Sequence, residues 1–445
     1  MRVLLLQSPL GVPYRHVYPH GLCCLATALK DRHEVKVVDL NTVPGPDSYL
    51  ENLMEGFKPE AVGISLRNID TVRKNVPLLF HLPFKRLSGT LKRVWPETPL
   101  IVGGPGFSIF PKALLEFCPE IDFGVYREGE EALPELLENL CQPENVKGIF
   151  YRKNGDILFS GDRNPPDVGR LPIIDRSFVD VGPYVTLPYD IGVETKRGCA
   201  LDCAYCSYPY LNGRKLRLRA PGQIVDEIEE LVYRYKLTSF SFIDSVFDVP
   251  QAHCAAICEE IIKRKVKVKW LAWFNGEDFD KELFSLALNA GCDFFSFSPD
   301  AYTPRTLRGL QKHLKHEDID RIYGLFKQCE EPVKVTFNFF GNSPDIRLTD
   351  FLRTLAFCLK AKASLRHCLH RVGMDYIRIL PNTALYKIAL EKKALMPDID
   401  LLPDNAAGYQ EVFYHEPNTR MIDLLLRLFN GLQGKGYAIE GTEVD

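Results

Sequence analysis

No apolar run in this chain approaches the roughly 20 residues that a membrane-spanning helix needs, which argues against a helical membrane protein. The opening Met1-Arg2-Val3-Leu4-Leu5-Leu6-Gln7 is too short an apolar stretch for an export signal, and Pro9 follows it, so it is read as a buried first strand. No internal repeat is present, which argues against a solenoid. Charge of one sign is not in excess: 55 Lys and Arg against 58 Asp and Glu leave −3, so no global basic field favours nucleic acid or an anionic membrane. Thirteen cysteines without an export signal point to a reducing cytosol, and a cytoplasmic location is expected. Most of them, such as Cys254, Cys258, Cys292 and Cys358, stand in apolar contexts and are read as small core residues, as are Cys23 and Cys24 in a helical pattern.

Three cysteines are different. Cys199, Cys203 and Cys206 lie in the run Arg197-Gly198-Cys199-Ala200-Leu201-Asp202-Cys203-Ala204-Tyr205-Cys206, and that spacing on a glycine-opened loop lets three thiolates point at one centre. A closed zinc site takes four ligands, and no fourth Cys or His lies near. A four-iron, four-sulfur cluster held by three thiolates keeps one iron open to a small molecule. The run, with its aromatic Tyr205, resembles the signature of radical S-adenosylmethionine (SAM) enzymes. That resemblance implies a [4Fe–4S] cluster whose open iron chelates SAM, and an electron donor such as flavodoxin or ferredoxin.

The chain has 445 residues, too many for one ordinary core. Residues 1–150 alternate strand patterns (Val3–Leu6, Val35–Asp39, Ala61–Ser65, Leu100–Val102, Asp122–Val125) with helical ones, which predicts a doubly wound, Rossmann-like parallel sheet. Residues 151–188 read as a linker, opening on a hairpin pattern and continuing through Asn164-Pro165-Pro166-Asp167. Residues 189–390 repeat the alternation, with strands expected at Ile191–Thr195, Ser239–Ile243, Lys267–Trp273, Asp293–Phe297, Val333–Phe340 and Asp375–Leu380. Six βα units predict a partial barrel, with the cysteine loop after its first strand, where barrel chemistry sits. Residues 391–445 form a carboxyl-terminal extension with an amphipathic helix over 420–432.

Within the barrel, several strand ends carry polar side chains, each with two readings. Asp244 and Ser245 resemble the acidic strand-end motif that accepts the ammonium of SAM, or they cap a helix; Asp248, before Pro250, suits capping. Ser298 and Asp300 stand where the family usually has Gly-x-Glu, and Lys312 matches a lysine found after that strand or is a solvated lysine. Tyr205 can stack on adenine. Arg378, on an apolar strand, needs a charged partner: SAM carboxylate, substrate or a structural salt bridge. Lys215, Arg217 and Arg219 share one face of an extended segment, for an anionic ligand or for solvent. Trp270, Trp273, Phe274, Tyr302 and Tyr376 line a cavity for an apolar or aromatic ligand, or are core.

A doubly wound domain ahead of such a barrel resembles the cobalamin-dependent radical SAM enzymes. The matching residues are Pro19-His20-Gly21-Leu22, Gly63-Ile64-Ser65, Val102-Gly103-Gly104-Pro105 and Glu128-Gly129-Glu130. The resemblance implies cobalamin contacts at Pro9, Gly11, Gly21, Ser65, Arg67, Asn68, Gly103, Gly104, Pro105, Glu128 and Gly129. None of the ten histidines stands in Asp-x-His-x-x-Gly, so histidine-off cobalamin is expected by analogy, with Arg67 either under the corrin, aiding methyl transfer, or on the surface. The implied activity is C-methylation of a small molecule, a lipid or natural product, from SAM through methylcobalamin; the alternative is a non-methylating cyclisation, ring contraction or carbon–carbon coupling. Tyr205 and Arg67 are the residues expected closest to the chemistry.

Overall fold

Leucine- and valine-rich strands separated by amphipathic helices must bury both faces of a sheet, and this sequence does so twice. The computed structural model describes residues 1–10, 17–185 and 188–432. In the first sheet the strands are β1 (Arg2–Gln7), β2 (Glu34–Asp39), β3 (Ala61–Ser65), β4 (Leu100–Gly103), β5 (Phe123–Val125), β6 (Ile149–Lys153) and β7 (Asp156–Phe159). Their order is β2-β1-β3-β4-β5-β6-β7, parallel through β5 and antiparallel beyond it. Val3, Leu4, Leu5 and Leu6 are all buried, as a strand covered by helices on both faces requires. The hairpin expected at the head of the linker instead pairs with β5 and completes this sheet. Its Phe150 stacks on Phe159 and meets Phe107 of the first domain, which fixes it there.

The second sheet adds β8 (Gly192–Val193), β9 (Lys196–Arg197), β10 (Arg217–Leu218), β11 (Ser239–Phe242), β12 (Lys269–Phe274), β13 (Cys292–Asp300), β14 (Lys334–Phe340) and β15 (Leu369–Asp375). Six of these run parallel in the order β8-β11-β12-β13-β14-β15, an open barrel, while β9 and β10 form an antiparallel pair at its mouth. Alternation along the strands separates two faces. Trp270, Phe274, Phe295 and Phe297 pack into the core beneath the outer helices. The intervening positions, among them Ser296, Ser298 and Asn338, face the lumen, and Asn338 Nδ2 reaches Ser298 Oγ at 3.4 Å.

One expected strand is displaced. Asp375–Leu380 is not the sixth strand, which is Leu369–Asp375 despite His370 and Arg371. The alternating Ile377-Arg378-Ile379 run that suggested it makes only an isolated bridge to Phe413 of the extension. The amphipathic helix Arg420–Leu432 is present as expected and closes the barrel's open side against β15.

Candidate active site

The cysteine loop spans the gap between β9 and β10, so the strand pair closes its base. Gly198 opens it at φ +93°, and a Cβ there would stand 2.2 Å from Lys215 O, so only glycine fits. Cys199 N donates to Gly213 O at 3.1 Å, Ala204 N to Leu310 O at 2.9 Å, and Leu385 N to Ala204 O at 2.7 Å, pinning the loop to two later segments. Cys199, Cys203 and Cys206 are all free thiols, and each lies within electrostatic reach of the other two. Among the described residues no three His, Cys, Asp or Glu side chains gather as tightly as a single metal ion demands. A four-iron cluster makes a different demand, since each thiolate binds its own iron, and this donor set fits it. Burial pushes the Cys206 thiol up to about 12, so its thiolate form depends on a positive partner.

Beside the loop, Tyr205, Ser298, Asp300 and Lys312 come together. Tyr205 donates its hydroxyl to Asp300 Oδ2 at 2.5 Å, and Lys312 Nζ donates to the same oxygen at 2.7 Å and to Ser298 O at 3.0 Å. Burial opposes the Lys312 charge, but the Asp300 carboxylate prevails and keeps the amine protonated. The Tyr205 ring meets Phe340 edge-on at 4.9 Å, at the end of β14. The solvated reading of Lys312 is therefore wrong, because both members of its ion pair are buried.

Asp244 has other work. Its carboxylate accepts from Thr195 N at 2.8 Å, from the Thr195 hydroxyl and from Lys196 Nζ at 2.9 Å, with both side chains of the ion pair 1% exposed. The expected SAM ammonium thus meets a carboxylate already neutralised by Lys196, a residue sequence reasoning passed over because it abuts the cysteine run. Ser245 beside it is half-buried. Asp248 does not cap the next helix. It accepts from Asn275 N at 2.7 Å and Gly276 N at 3.1 Å and holds the turn after β12.

In the first sheet, strand order reverses between β1 and β3, and a cleft opens there at the carboxyl ends, the usual ligand site of such sheets. Pro9, Ser65, Arg67 and Asn68 line it together with Asn41 and Phe80. Gly103, Gly104 and Pro105 form the next turn, and Leu66 N donates to Gly103 O at 2.9 Å. Gly104 has φ +96°, and a Cβ there would lie 2.8 Å from the carbonyl oxygen of Leu66, which lines the cleft, so only glycine fits. A cleft at the switch point, with no side chain at Gly104 beside it, fits a corrin. Gly11 lies outside the described residues. Gly21, exposed in the helix His20–Leu29, has open space where a Cβ would stand, with nothing within 4 Å, and does not line the cleft.

Glu128 and Gly129 are likewise elsewhere. Glu128 pairs with Arg197 at 2.8 Å and with Arg217, while Glu130 and Glu194 hold Arg197 at 2.7 and 2.9 Å. Gly129 lets that turn lie against Leu25 and Val125. Arg219 pairs with Glu227 at 2.7 Å, so neither Arg217 nor Arg219 is a solvated side chain. Arg378 is a structural clamp as well: its guanidinium holds Asp70 at 3.1 Å and Leu401 O at 2.7 Å, both ends of the ion pair being 2% exposed. Loops after β3 and β5 of the first sheet thus grip residues beside the cysteine loop and beyond β15. The two carboxyl faces confront each other. Of the aromatic candidates, Trp270, Phe274 and Tyr376 are buried, whereas Trp273, on the lumen face of β12, is 41% exposed. Tyr302 packs on Phe357.

Comparison with known families decides the assignment. Residues 10–137 match the B12 binding domain and residues 193–358 match the radical SAM superfamily. The chain belongs to the cobalamin-binding radical SAM enzymes. Its cofactors are cobalamin, a [4Fe–4S] cluster and SAM. This radical SAM enzyme is 24% identical over 344 residues to an uncharacterised methyltransferase of Pyrococcus horikoshii, spanning 72% of the chain and 70% of the relative. It is 29% identical over 226 residues to the anaerobic magnesium-protoporphyrin IX monomethyl ester cyclase of Cereibacter sphaeroides, spanning 47% of the chain and 36% of the relative. Its fold is shared with the radical SAM methyltransferase TsrM of Kitasatospora setae, solved with tryptophan substrate and a SAM analogue, at a TM-score of 0.79, 22% identity, and coverage of 97% of this chain and 88% of that one.

Proposed function

We propose that the chain is a C-methyltransferase that moves a methyl group from SAM, by way of cobalamin, to a carbon of a small organic substrate held in the barrel mouth. The observation that carries this reading is that Glu128 and Glu130, in the loop after β5 of the first sheet, hold Arg197 at the head of the cysteine loop. When bound, the cluster and cobalamin supply reductive cleavage of SAM and a carrier for the methyl group. The protein's own part is to position and to exclude water. Lys312 and Tyr205 orient Asp300 toward the SAM side of the cluster loop, and Arg67 stands at the rim of the cobalamin cleft. Trp273 and Ile243, on the lumen face and 41% and 38% exposed, offer an apolar wall to substrate. The enzyme takes its electron from a flavodoxin or ferredoxin in the cytoplasm. No helix among the described residues is long and apolar enough to cross a membrane.

Anaerobic reconstitution with iron, sulfide and hydroxocobalamin tests the reading. About four irons and one cobalt per chain are expected, followed by transfer of label from methyl-labelled SAM to a small-molecule product. Iron without cobalt would remove methyl transfer through cobalamin. Both cofactors with an unmethylated product would favour ring closure, the reaction named for the cyclase relative.

A further inference from the structure

Lys74 sits in the loop after β3 that also carries Arg67, Asn68 and Asp70. Its amine donates to His415 Nε2, and His415 Nδ1 donates to Asp423 Oδ1 at 3.0 Å. These three side chains come from the cobalamin domain, the carboxyl-terminal extension and the helix Arg420–Leu432, and sequence reasoning singled out none of them. Asn342, just past β14 and fully buried, fixes the far end by donating to Asp423 at 2.8 Å and to Thr419 Oγ1 at 3.2 Å. With Nδ1–H committed to the carboxylate, His415 must present a lone pair to Lys74, so the tautomer follows from the network.

The setting of the amine is unusual for this protein. Lys196 and Lys312 each bond a carboxylate directly. Lys74 instead bonds an imidazole, and its other neighbours are the faces of Tyr376 at 4.8 Å and Phe413 at 5.7 Å. The charged and titratable groups facing it are His415, Asp423, Arg427 and Tyr376. A half-buried amine with no carboxylate of its own is costly as a structural device, and it stands at the carboxyl ends of β14 and β15, the catalytic end of a barrel.

We propose that Lys74, His415 and Asp423 form a proton relay whose terminal amine takes a proton from the substrate in the barrel mouth. The assignment rests on the methyltransferase reading taken in its polar form, without reductive cleavage of SAM, in which a carbon that gains a methyl group must shed a proton. In the step itself the substrate X–H bond breaks, its electron pair stays on X, and the proton bonds to the neutral Nζ; His415 and Asp423 stabilise the ammonium that results. Burial, the largest influence, lowers the Lys74 pKa to about 8, with Asp423 opposing and Arg427 assisting, so a neutral fraction exists near neutrality.

Trace acetylation of the full-length chain with acetic anhydride across a pH series, read by peptide mass spectrometry, tests the relay without any substrate. Lys74 should titrate near 8, well below the ordinary lysine value of about 10.4. Asp423→Asn should move its midpoint further down and Arg427→Gln should move it up. In protein loaded with hydroxocobalamin, Lys74 labelling should slow several-fold while exposed lysines such as Lys147 are unaffected. Titration of Lys74 together with the exposed lysines, or labelling indifferent to bound cobalamin, would overturn the proposal. Cobalamin absorbance reports separately on loading, so failure of the cofactor assignment is not confused with failure of the relay.

Discussion

Lys312 shows how much one side chain can carry beside a metal-binding loop. It neutralises Asp300 where both are buried, and Asp300 in turn accepts from Tyr205. Lys312→Met leaves a buried carboxylate without its cation, a loss of about 3–5 kcal/mol. Calorimetry should show a lower Tm, and equilibrium dialysis should show weaker SAM binding with iron content unchanged. Replacing Cys199, Cys203 and Cys206 together with alanine should give the complementary result, loss of iron–sulfur absorbance and of SAM cleavage at once. An intact cluster in that triple variant would refute the central assignment.

Single turns decide whether the elements can receive flat or bulky groups. The turn from β4 into the helix Pro105–Ile109 passes Leu66 so closely that Gly104 has no room for a methyl group. Gly104→Ala should cost about 1–3 kcal/mol, from strain at positive φ and from backbone displacement. It should also weaken cobalamin binding in a spectrophotometric titration while leaving the cluster spectrum unchanged. A second element-scale effect belongs to Glu194, just past β8, whose carboxyl burial raises to about 7 although Arg197 opposes the shift. A carboxyl whose folded pKa exceeds its unfolded value of 4.5 binds more protons when folded, so it favours folding below that window and loses this contribution as pH rises from 4.5 to about 7. Glu194→Gln should flatten the stability–pH curve of denaturant unfolding across that range. An unchanged slope would mean that Glu194 titrates normally.

At the scale of the whole molecule, two buried ionic joints hold the carboxyl faces together: Glu128 and Glu130 on Arg197, and Asp70 on Arg378. Neither joint is an economical source of stability, because desolvation of buried ions offsets most of their attraction. What they add is alignment, because a guanidinium fork fixes direction as well as distance. Asp70→Asn should therefore destabilise the chain by about 3–5 kcal/mol. Limited proteolysis should show the segment around residues 396–405 cut faster than in the parent. Equal cutting rates would show that Leu401 O and Tyr409, rather than the ion pair, hold the extension.

Chain order and chemistry were legible in the sequence wherever they depend on neighbours along the chain. The Cys199–Cys206 spacing, the βα rhythm and the helix Arg420–Leu432 are local patterns, and the fold bears out the two-domain plan they implied. The sixth strand was misplaced because Ile377-Arg378-Ile379 carries the alternation of a strand while its hydrogen bonds go to Val412 and Tyr414, on either side of Phe413, a choice made by distant partners. The same reason explains Asp244, Glu128 and Arg378: a ligand contact was a reading of each, and each meets an opposite charge far away in sequence, for Arg378 the structural salt bridge that was its other reading. A buried charge needs a partner, and the sequence states the need without naming who meets it. Lys74, His415 and Asp423, separated by more than three hundred residues from first to last, become a relay only when the loop after β3 meets the extension. Local spacing determined the three-cysteine cluster site, and tertiary contact alone decided which charged side chains are free to serve it.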